Sequence, residues 1–448
     1  MNESDLKGHL RRLDLQPSRK LGQSFLVDTN TSRWIAAQLE AGPEDTVIEV
    51  GPGFGALTAH LAGKVKRLIL VEKDGRLAEF LKQTYGPAGV EVIHGDATEF
   101  DVRSLFLKGP VKFIGNLPYS AGSEIMRVFL DAPSPICKAV IMLQKEVADR
   151  LCAIPKTKPY GMISLVMQTR WDIARIKTVG PALFHPRPEV DSTIIKMTPR
   201  SEATLPRYCP EVFVQTVKQG FSQRRKQLHN NLPVERERWD AICSSLGLKE
   251  SIRAEELDLE QWVKLSSEIE RHPCHSLPPS AEEELDFVDE NDNVLGQMAR
   301  REIHAQKKLH RAVHVFLLNK AGELYLQLRS AFKDTHPGKW DSSASGHVDP
   351  GESYLDCAIR ESWEEVWTRP KGDFKKFVKI SASEKTDLEF IEVFEAEAAG
   401  KIKVHTSEIH SGRFFPVQQI EEWIAERPED FATGFRTCFQ EWIKARGS

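Results

Sequence analysis

The sequence predicts an α/β protein in which two successive α/β domains are joined by a small helical segment. Residues 30–195 alternate short apolar runs with helical patterns, which is typical of a parallel sheet flanked by helices. Residues 205–270 have a helical pattern, and strand-like alternation resumes beyond residue 285. A length of 448 residues also favours two or three domains rather than one.

The predicted boundaries follow these changes of pattern. We expect a first domain over residues 1–200, a helical subdomain over 201–270, a linker over 271–284 and a second domain over 285–448. The linker is predicted because His272–Ser280 is rich in proline and is followed by the acidic run Glu282–Glu284.

The composition indicates a folded, soluble protein. The chain is 40% hydrophobic and 28% charged, and its formal charge of −4 gives no global signal for nucleic-acid binding. Its seven cysteines are scattered without a Cys-x-x-Cys pair, which favours free thiols. No apolar run approaches the ~18 residues needed to span a bilayer. We therefore expect a cytoplasmic protein, with no membrane contact and, by default, a monomer.

Short apolar runs define the predicted strands. In the first domain they are Thr46–Val50, Arg67–Glu72, Val90–His94, Val111–Gly115, Ala139–Gln144 and Gly161–Thr169. In the second domain we predict strands at Ala312–Asn319, Leu324–Arg329 and Leu388–Ala396, and a helix over residues 353–367. Open α/β sheets bind ligands at the carboxyl ends of their strands, so residues that follow the first-domain strands are candidate site residues.

A glycine-rich turn follows the first predicted strand. Gly51-x-Gly53-x-Gly55 would let the backbone approach a ligand closely, although a tight structural turn has the same pattern. Glu72 ends the next strand, where a carboxylate can bind two ribose hydroxyls, and Asp96 follows the third, where it could accept from an adenine amino group. A dinucleotide dehydrogenase would share much of this pattern.

The segment Asn116-Leu117-Pro118-Tyr119 favours an enzyme that methylates an amino group of a base over a dinucleotide dehydrogenase. The exocyclic amine of adenine is a poor nucleophile, because its lone pair is delocalised into the ring. An asparagine oxygen and a neighbouring carbonyl can accept both N–H bonds and favour a more tetrahedral nitrogen. Pro118 would fix the turn, and Tyr119 would stack on an extruded base. The alternative is a turn with an ordinary buried tyrosine.

These motifs and three others resemble the KsgA/RsmA-type small-subunit rRNA adenine dimethyltransferases, over residues 10 to about 265. The further motifs are Leu21–Asp28, Phe184–Ser192 and Phe221–Lys226 with Asn230-Asn231-Leu232. The resemblance implies a Rossmann-like methyltransferase with a small helical C-terminal subdomain. It also implies N6-dimethylation of two adjacent adenosines in a hairpin loop of small-subunit rRNA, with the immature small subunit as partner.

The same resemblance implies the roles of individual residues. S-adenosylmethionine would be bound by the residues at the matching positions, Gln23, Ser24, Leu26, Gly51, Gly53, Glu72, Asp96 and Asn116. Ser24 stands where the family often has Asn or His, and we expect it to contribute weakly. The catalytic set would be Asn116, Leu117, Tyr119 and Phe184, with Phe184 lining the target-base pocket. No metal is required, because positioning and charge complementarity suffice.

Basic residues 224–226 are the predicted RNA contacts. Arg224, Arg225 and Lys226 would meet phosphates, although a charge run is commonly just a solvated helix face. The Phe-x-x-Arg-Arg-Lys segment favours the small-subunit family over Erm-type large-subunit rRNA methyltransferases. DNA adenine methyltransferases usually carry proline in place of Leu117.

A second signature, Gly346-x5-Glu352-x7-Arg360-Glu361-x-x-Glu364-Glu365, has the spacing of the Nudix box. Glu361, Glu364 and Glu365 would share one face of a helix, where their oxygens suit Mg²⁺ or Mn²⁺. Bound ions could activate a water and neutralise a small-molecule diphosphate, with Glu365 also acting in catalysis. Gly346, Glu352 and Arg360 would brace the box. A solvated acidic helix is the alternative. The resemblance implies a Nudix α/β/α sandwich.

The box departs from the family pattern at two positions. Ser362 replaces the usual apolar residue, and Trp367 replaces the glycine that usually caps the helix. We therefore expect intact metal ligands but a different helix end, and a loss of activity is left open.

Flanking segments resemble the isopentenyl-diphosphate-isomerase-like branch of Nudix proteins, over roughly residues 285–445. The segments are Asp289–Gly296, Leu309–Val315 and Gly338–Asp341. Type I isomerases need a cysteine just before the box, whereas Ser342–His347 contains none. This favours a hydrolase over an isomerase. Glu408 is a candidate additional general base, with an ordinary surface glutamate as the alternative.

Together these patterns predict a bifunctional fusion of an rRNA adenine dimethyltransferase and a Mg²⁺-dependent diphosphate hydrolase. The alternative from a different class is an assembly factor for the small ribosomal subunit, in which the Nudix domain is a catalytically silent binding module.

Overall fold

The computed structural model of the chain describes residues 3–17, 23–118, 120–269, 283–368, 371–406 and 408–447. These parts form two compact units, the first within Met1–Thr204 and Val214–Trp262, the second within Leu205–Phe213 and Val263–Ser448. Most of the predicted linker lies outside the described residues. Within those ranges, no helix combines the length and apolarity needed to cross a membrane, and six cysteines are free thiols.

The first unit is built on a mixed sheet whose core strands are parallel. Its strands are β1 (Phe25–Leu26), β2 (Thr46–Val50), β3 (Arg67–Glu72), β4 (Glu91–His94), β5 (Val111–Asn116), β6 (Ile136–Gln144), β7 (Trp171–Val179), β8 (Phe184–His185) and β9 (Ser192–Pro199). The main sheet has the order β4-β3-β2-β5-β6-β9-β7, and β1 pairs with β8 separately. Strands β2 to β6 are parallel, while β9 and β7 run antiparallel. The order reverses direction at β2, which is where such sheets open a ligand crevice.

Helices cover this sheet and follow it in the chain. They are α1 (Glu3–Arg12), α2 (Thr29–Gln38), α3 (Thr58–Leu61), α4 (Gly75–Tyr85), α5 (Gly122–Leu130), α6 (Lys145–Leu151) and α7 (Met162–Gln168), then α8 (Pro210–Gly220), α9 (Arg236–Leu246) and α10 (Leu259–Ile269). Every residue of β2 is buried, which explains its unbroken apolar pattern: a strand covered on both faces has no solvent side. The helical character predicted for residues 205–270 is confirmed.

One predicted strand is wrong. The segment predicted as strand Gly161–Thr169 forms α7, and the next strand is β7. A short apolar run does not distinguish a strand from a buried helix by periodicity alone. Ser164 decides the local structure, because its hydroxyl accepts the Gly161 N–H at 3.2 Å and donates to the Arg150 carbonyl at 2.5 Å. The other first-domain strands are confirmed to within a few residues.

The second unit is a mixed sheet with helices on both faces. Its strands are β10 (Glu284–Val288), β11 (Val294–Ala299), β12 (His310–Leu318), β13 (Leu324–Arg329), β14 (Trp340–Asp341), β15 (Ala344–His347), β16 (Lys371–Ile380), β17 (Glu389–Glu397) and β18 (Ile409–Phe415). Its helices are α11 (Arg300–Ala305), α12 (Tyr354–Val366), α13 (Val417–Glu426) and α14 (Thr433–Gly447). The predicted strands and the helix over 353–367 are confirmed.

Strand β12 shows how the two helix layers are placed. It pairs with β17 in parallel and with β15 antiparallel. Val313 and Val315 belong to one buried cluster with residues of α12. Phe316, which points to the opposite face, meets Phe435 and Trp442 of α14 at ring distances of 5.9 and 5.0 Å. The sheet is therefore sandwiched between α12 and α14, and α12 carries the predicted Nudix carboxylates.

Candidate active sites

A cavity of about 150 Å³ opens at the carboxyl ends of β2, β3 and β5. All eight residues predicted to bind the cofactor line it, namely Gln23, Ser24, Leu26, Gly51, Gly53, Glu72, Asp96 and Asn116. Leu117, which is 1% exposed, lines it as well. Residues far apart in the chain thus meet at the point where the strand order reverses. Tyr119 lies outside the described residues.

The glycine turn holds Glu72 in place. Gly53 has φ +57°, and a Cβ there would lie 2.8 Å from the Phe25 ring, so any side chain would be strained and would force this ring to shift. Its N–H donates to Glu72 Oε2 at 3.1 Å, while Glu72 Oε1 accepts from the Asp74 N–H at 2.9 Å. Burial raises the pKa of Glu72 to about 7. A buried acceptor fixed in this way can recognise hydroxyl groups of a ligand.

Glu49 is a buried acid of this cavity that sequence reasoning missed. It lines the cavity and accepts a 2.8 Å hydrogen bond from the Thr58 hydroxyl. Burial, reinforced by the nearby Glu72, raises the pKa of Glu49 to about 8. Because Glu49 lies inside an apolar strand, sequence reasoning assigned it to the strand and not to the site.

Asp96 is held in its charged form. Its Oδ1 accepts from the N–H and hydroxyl of Thr98 at 3.0 and 2.8 Å. Lys73, also missed by sequence reasoning, forms an ion pair with Oδ2 and lowers the pKa of Asp96 to about 2. The result is an anionic acceptor on the cavity wall, suited to an amino group.

Asn116 has a fixed orientation at the end of β5. Its Nδ2 donates to the Ser24 carbonyl at 3.0 Å, which leaves Oδ1 as the acceptor of this amide. Ser24 is held in turn, because its hydroxyl donates to the Pro186 carbonyl at 2.8 Å. Ser24 therefore positions Asn116 through its backbone, although its short side chain was expected to contribute little.

A cavity of about 660 Å³ in the second unit gathers the box residues. Those that line it are Gly346, Arg360, Glu361, Glu364 and Glu365, together with Glu408. The helix that carries the carboxylates begins where the Ser353 hydroxyl accepts the Asp356 N–H at 3.2 Å. Spacings of three and four residues put the carboxylates on one helix face.

Gly346 and Glu361 are in close contact. A Cβ at residue 346 would lie 2.0 Å from Glu361 Oε1, so only glycine leaves room for this carboxylate. Burial, with a contribution from Glu365, raises the pKa of Glu361 well above its usual range. Arg360 donates to Glu361 at 2.7 Å and forms a bidentate pair with Glu352, with both distances 3.0 Å. Arg360 thus fixes the first carboxylate of the box.

Glu365 is the innermost carboxylate of the helix. Its Oε2 accepts from the Ser345 N–H at 2.9 Å and from Gln327 Nε2 at 3.2 Å. Burial raises the pKa of Glu365 to about 7; Lys333 opposes this effect and Glu408 adds to it. Glu408 is only 7% exposed and is ion-paired with Lys333. The alternative of an ordinary surface glutamate at residue 408 is therefore wrong.

The two departures from the box pattern have local explanations. Ser362 is fully buried, and its hydroxyl donates to the Ala358 carbonyl one turn earlier at 2.8 Å, so no polar group is stranded. Trp367 adopts the left-handed conformation with φ +48° and closes the helix by donating its N–H to the Ser362 carbonyl. The helix thus ends in a left-handed cap without glycine.

Three histidines form a candidate metal centre in the second unit. The ligand atoms of His304, His310 and His347 lie within 4.8 Å of one another. His347 and Glu389 line the larger cavity, and their Nε2 and Oε1 atoms are 3.2 Å apart. Burial lowers the pKa of His347 to about 4, which keeps the ring neutral and able to bind a metal.

Two of these imidazoles have unsatisfied atoms. Within the described part of the chain, Nε2 of His304 and Nε2 of His310 are buried without a hydrogen bond, and Nε2 of His310 lies 3.5 Å from Glu389 Oε1. Such atoms are costly to bury unless something binds them. Sequence reasoning missed this group. His304-x5-His310 has a spacing found in metal sites, but His347 and Glu389 come from the distant strands β15 and β17.

The family model for ribosomal RNA adenine dimethylase matches residues 15–271, which is more than half of the chain. The chain belongs to this family. The NUDIX domain model matches residues 308–434, so a Nudix domain follows the dimethylase region. The protein thus combines a Rossmann-like methyltransferase with a Nudix domain.

One curated relative supports the dimethylase assignment, and two solved structures are similar to parts of the chain. "Ribosomal RNA small subunit methyltransferase A" of Syntrophus aciditrophicus is 38% identical over 273 residues, covering 58% of this chain and 96% of that protein. The 23S rRNA methyltransferase ErmE is a solved structure with 27% identity and a TM-score of 0.46, covering 55% of this chain and 99% of its own. A MutT protein from Methanosarcina mazei Go1 has 24% identity and a TM-score of 0.26, covering 31% and 96%.

Two predicted site residues of the dimethylase region lie away from its cavity. Phe184 is 2% exposed, pairs with Leu26 across β1 and β8, and is not among the residues that line the cavity. Arg224 is partly buried: it donates to Glu255 at 2.6 Å and to the carbonyls of residues 157 and 158. Its guanidinium therefore has a structural role, because it links three separate parts of the chain. The exposed members of the basic segment are Arg225 and Lys226.

Proposed function

We propose that the dimethylase region transfers methyl groups from S-adenosylmethionine to N6 of two adjacent adenosines in a hairpin loop of small-subunit rRNA. Family membership supports the reaction, and the name of the Syntrophus relative supports the small subunit as the target. The observation that carries the proposal is the oriented Asn116 amide, which shares one cavity with Glu72 and Asp96.

The cavity residues fit the proposed cofactor. Glu72 would accept from the ribose hydroxyls, and Asp96 from the adenine amino group, while the backbone of Gly51 and Gly53 allows close approach. The carboxylates of Glu72 and Asp96 also suit a cationic ligand. When bound, the cofactor supplies an electrophilic methyl group.

Asn116 would orient the acceptor amine. Because Nδ2 is engaged by Ser24, Oδ1 is left to accept one N–H of the adenine amine. A neighbouring carbonyl of the motif would accept the other, and the nitrogen lone pair is then directed at the methyl carbon. Methyl transfer would form one N–C bond at the oriented amine as the S–C bond of the cofactor breaks, and the surplus proton would pass from the nitrogen to solvent water.

The direct test incubates the full chain with S-adenosylmethionine and small ribosomal subunits that lack this modification. Mass spectrometry of the digested rRNA should detect N6,N6-dimethyladenosine at two adjacent positions. A parallel incubation with large ribosomal subunits is the comparison: methylation found there and absent from the small-subunit rRNA would contradict the proposed target while keeping the chemistry.

For the Nudix domain, we propose hydrolysis of a diphosphate, with Mg²⁺ or Mn²⁺ held by Glu361, Glu364 and Glu365. Two of these carboxylates are buried next to each other with raised pKa values, and divalent cations relieve such repulsion. Glu365 would accept the proton of the attacking water. The water oxygen bonds to one phosphorus, and the bridging oxygen leaves with the other phosphate.

The resemblance to the isomerase-like branch stays a proposal about ancestry rather than activity. The box itself contains one cysteine, Cys357 of α12, which is fully buried, and burial raises the pKa of its thiol above the ordinary range. It does not line the cavity. Ser345 lines the cavity in its place, and a hydroxyl transfers protons to an alkene poorly. Hydrolysis is therefore favoured over isomerisation.

The test for this domain is a screen with Mg²⁺ against nucleoside diphosphates, dinucleoside polyphosphates, sugar nucleotides and prenyl diphosphates. We expect turnover of at least one class, and loss of that turnover in the Glu364→Gln variant. Turnover of none would contradict the proposal and favour the silent binding module.

We further propose that His304, His310 and His347, with Glu389, hold a transition metal. Imidazole and carboxylate ligands suit Zn²⁺ or Mn²⁺. Burial raises the pKa of Glu389, but the contacts of His310 and His347 outweigh burial and leave this pKa below its ordinary value. Elemental analysis should find about one transition-metal ion per chain, absent from the His310→Ala variant. Equal metal content in both proteins would contradict the site.

A further inference from the structure

The outer face of α12 carries a row of exposed apolar side chains. Leu355, Ile359 and Trp363 are 44, 47 and 45% exposed and are spaced by four residues. Trp363 stacks on Trp367 with ring centroids 5.7 Å apart and an interplanar angle of 9°. Of this row only Trp363 lines the cavity that holds the Nudix carboxylates, and Trp367 lines it as well. Leu355 and Ile359 therefore lie outside the candidate active site, whereas Trp363 belongs to it.

We propose that Trp363, backed by Trp367, is a platform on which the base of a nucleotide substrate stacks while its diphosphate lies at the Nudix carboxylates. The inference rests on the proposed hydrolase function and names the residues that select the substrate. Base–aromatic stacking accepts any base, because every base has a π face.

The position of Trp363 in the helix supports this assignment. It directly precedes the metal-ligand candidates Glu364 and Glu365 in the chain. Glu364, whose side chain is 55% exposed, lies at the mouth of the cavity beside it, and Glu365 lies inside. A ligand anchored by its phosphates at the carboxylates would thus extend past the exposed indole.

The conformation of Trp367 supports a built platform rather than an incidental surface residue. Trp367 occupies a left-handed cap with φ +48°, a conformation that side chains other than glycine rarely adopt. The parallel contact with Trp363 is made from this position, and Lys403 lies 5.8 Å from the Trp367 ring centroid. The second indole therefore supports one face of Trp363, and the other contacts of Trp363 leave 45% of the residue exposed.

Two sources share the ligand chemistry that this platform would recognise. One is a free nucleoside diphosphate compound, and the other is the 5′-diphosphate end of an RNA chain. Both present a stackable base next to a diphosphate. A diphosphate attached to an aliphatic chain lacks the base and would gain nothing from the indoles.

The test is equilibrium binding to the full chain by calorimetry, with Mg²⁺ present. The probes are α,β-methylene-ADP, which resists hydrolysis, and methylenediphosphonate, which carries the same diphosphate mimic without a base. The variants are Trp363→Ala, Trp363→Phe to restore an aromatic face, and Ile359→Ala as the matched control one turn earlier. A 5′-diphosphate RNA oligonucleotide competing with the nucleotide probe distinguishes the two sources.

We expect Trp363→Ala to weaken binding of the nucleotide probe roughly 5- to 100-fold, the range for loss of one stacked base. Methylenediphosphonate binding should stay within about two-fold. Trp363→Phe should recover much of the loss, and Ile359→Ala should change neither ligand.

Three results would overturn the inference: equal losses for both probes, no preference of the wild type for the probe with a base, or an equal effect of Ile359→Ala. The last would show that the loss comes from a general disturbance of α12 and not from a lost stacking contact. The proposed function fails separately, when no diphosphate in the hydrolysis screen is turned over. A wild type that binds methylenediphosphonate without gain from the base defeats the stacking inference alone.

Discussion

Nδ2 of Asn116 donates a 3.0 Å hydrogen bond to the backbone carbonyl of Ser24. The partner residues are 92 positions apart in the chain, so the fold rather than the local sequence decides which atom of the amide faces the cavity. With the nitrogen engaged, the amide oxygen is left as an acceptor, and we propose that it binds the substrate amine. The amide nitrogen therefore anchors the side chain to Ser24, and the amide oxygen remains available to a ligand.

Asn116→Ala should abolish methylation while leaving S-adenosylmethionine binding weakened by no more than about ten-fold, because one hydrogen bond contributes about 1 kcal/mol. Glu72 and Asp96 would still hold the cofactor. Filter assays of methyl transfer and calorimetry of cofactor binding measure the two effects separately. Asn291→Ala, the same change in an exposed loop of the second unit, is the control. Turnover near the wild-type rate in Asn116→Ala would refute the assigned role.

The pKa of Glu49 predicts a pH-dependent stability of the cofactor-free protein. Its folded-state pKa is about 8, against an ordinary value of 4.5, so between these values the folded state keeps a proton that the unfolded state has lost. Stability should therefore fall as pH rises from 5 to 8, by roughly 1.4 kcal/mol per unit of pKa shift at most. Glu49→Gln should flatten this dependence. Glu72 acts in the same direction with a pKa of about 7, so some slope should remain.

Scanning calorimetry checks this expectation, with the first-unit transition identified by its upward shift on adding S-adenosylmethionine. Glu44→Gln, at a side chain that is 91% exposed, is the matched control and should leave the slope unchanged. The same slope in wild type and Glu49→Gln would contradict the buried-acid explanation.

Alanine substitutions of the neighbouring residues Arg224 and Arg225 should have different effects on stability and on RNA binding. Arg224→Ala removes hydrogen bonds to Glu255 and two carbonyls, so it should lower stability by about 1–3 kcal/mol. Arg225→Ala should leave the melting temperature unchanged and weaken RNA binding, with a shallower dependence on salt. Thermal melts and RNA titrations at two salt concentrations test both. Equal stability losses would mean that the exposed arginine is also structural.

Gly346→Ala should inactivate the Nudix domain. The added methyl group would lie 2.0 Å from Glu361 Oε1 and displace the first carboxylate of the box. We expect at least a hundred-fold loss of hydrolysis, because misplacement by about 1 Å has effects of that size. Gly447→Ala, where a Cβ meets nothing within 4 Å, is the control. Full activity in Gly346→Ala would show that Glu361 is dispensable.

The sequence was most informative where local pattern and chemistry coincide. Strands β2 and β3 have the predicted bounds because their apolar runs are bounded by polar or turn residues, and Glu361, Glu364 and Glu365 share a helix whose period fixes their face. The strand predicted at Gly161–Thr169 failed, because a seven-residue apolar helix gives the same signal.

Features that depend on tertiary contact were not predictable. Glu49 was hidden in an apolar strand, and its raised pKa arises only when the sheet is buried. The three histidines come from α11, β12 and β15, and Glu389 comes from β17, so the complete group forms only in the folded chain. Trp367 was expected to change the helix end, yet the backbone adopts the left-handed cap and the ring finds Trp363.

The central claim is that one chain carries two independent enzymes, and a crossed assay tests it most directly. Wild type, Asn116→Ala and Glu364→Gln are each assayed for rRNA methylation and for hydrolysis of the diphosphate found in the screen. We predict that Asn116→Ala loses only methylation and Glu364→Gln loses only hydrolysis. Loss of both activities in either variant, or of neither in both, would contradict two separate sites.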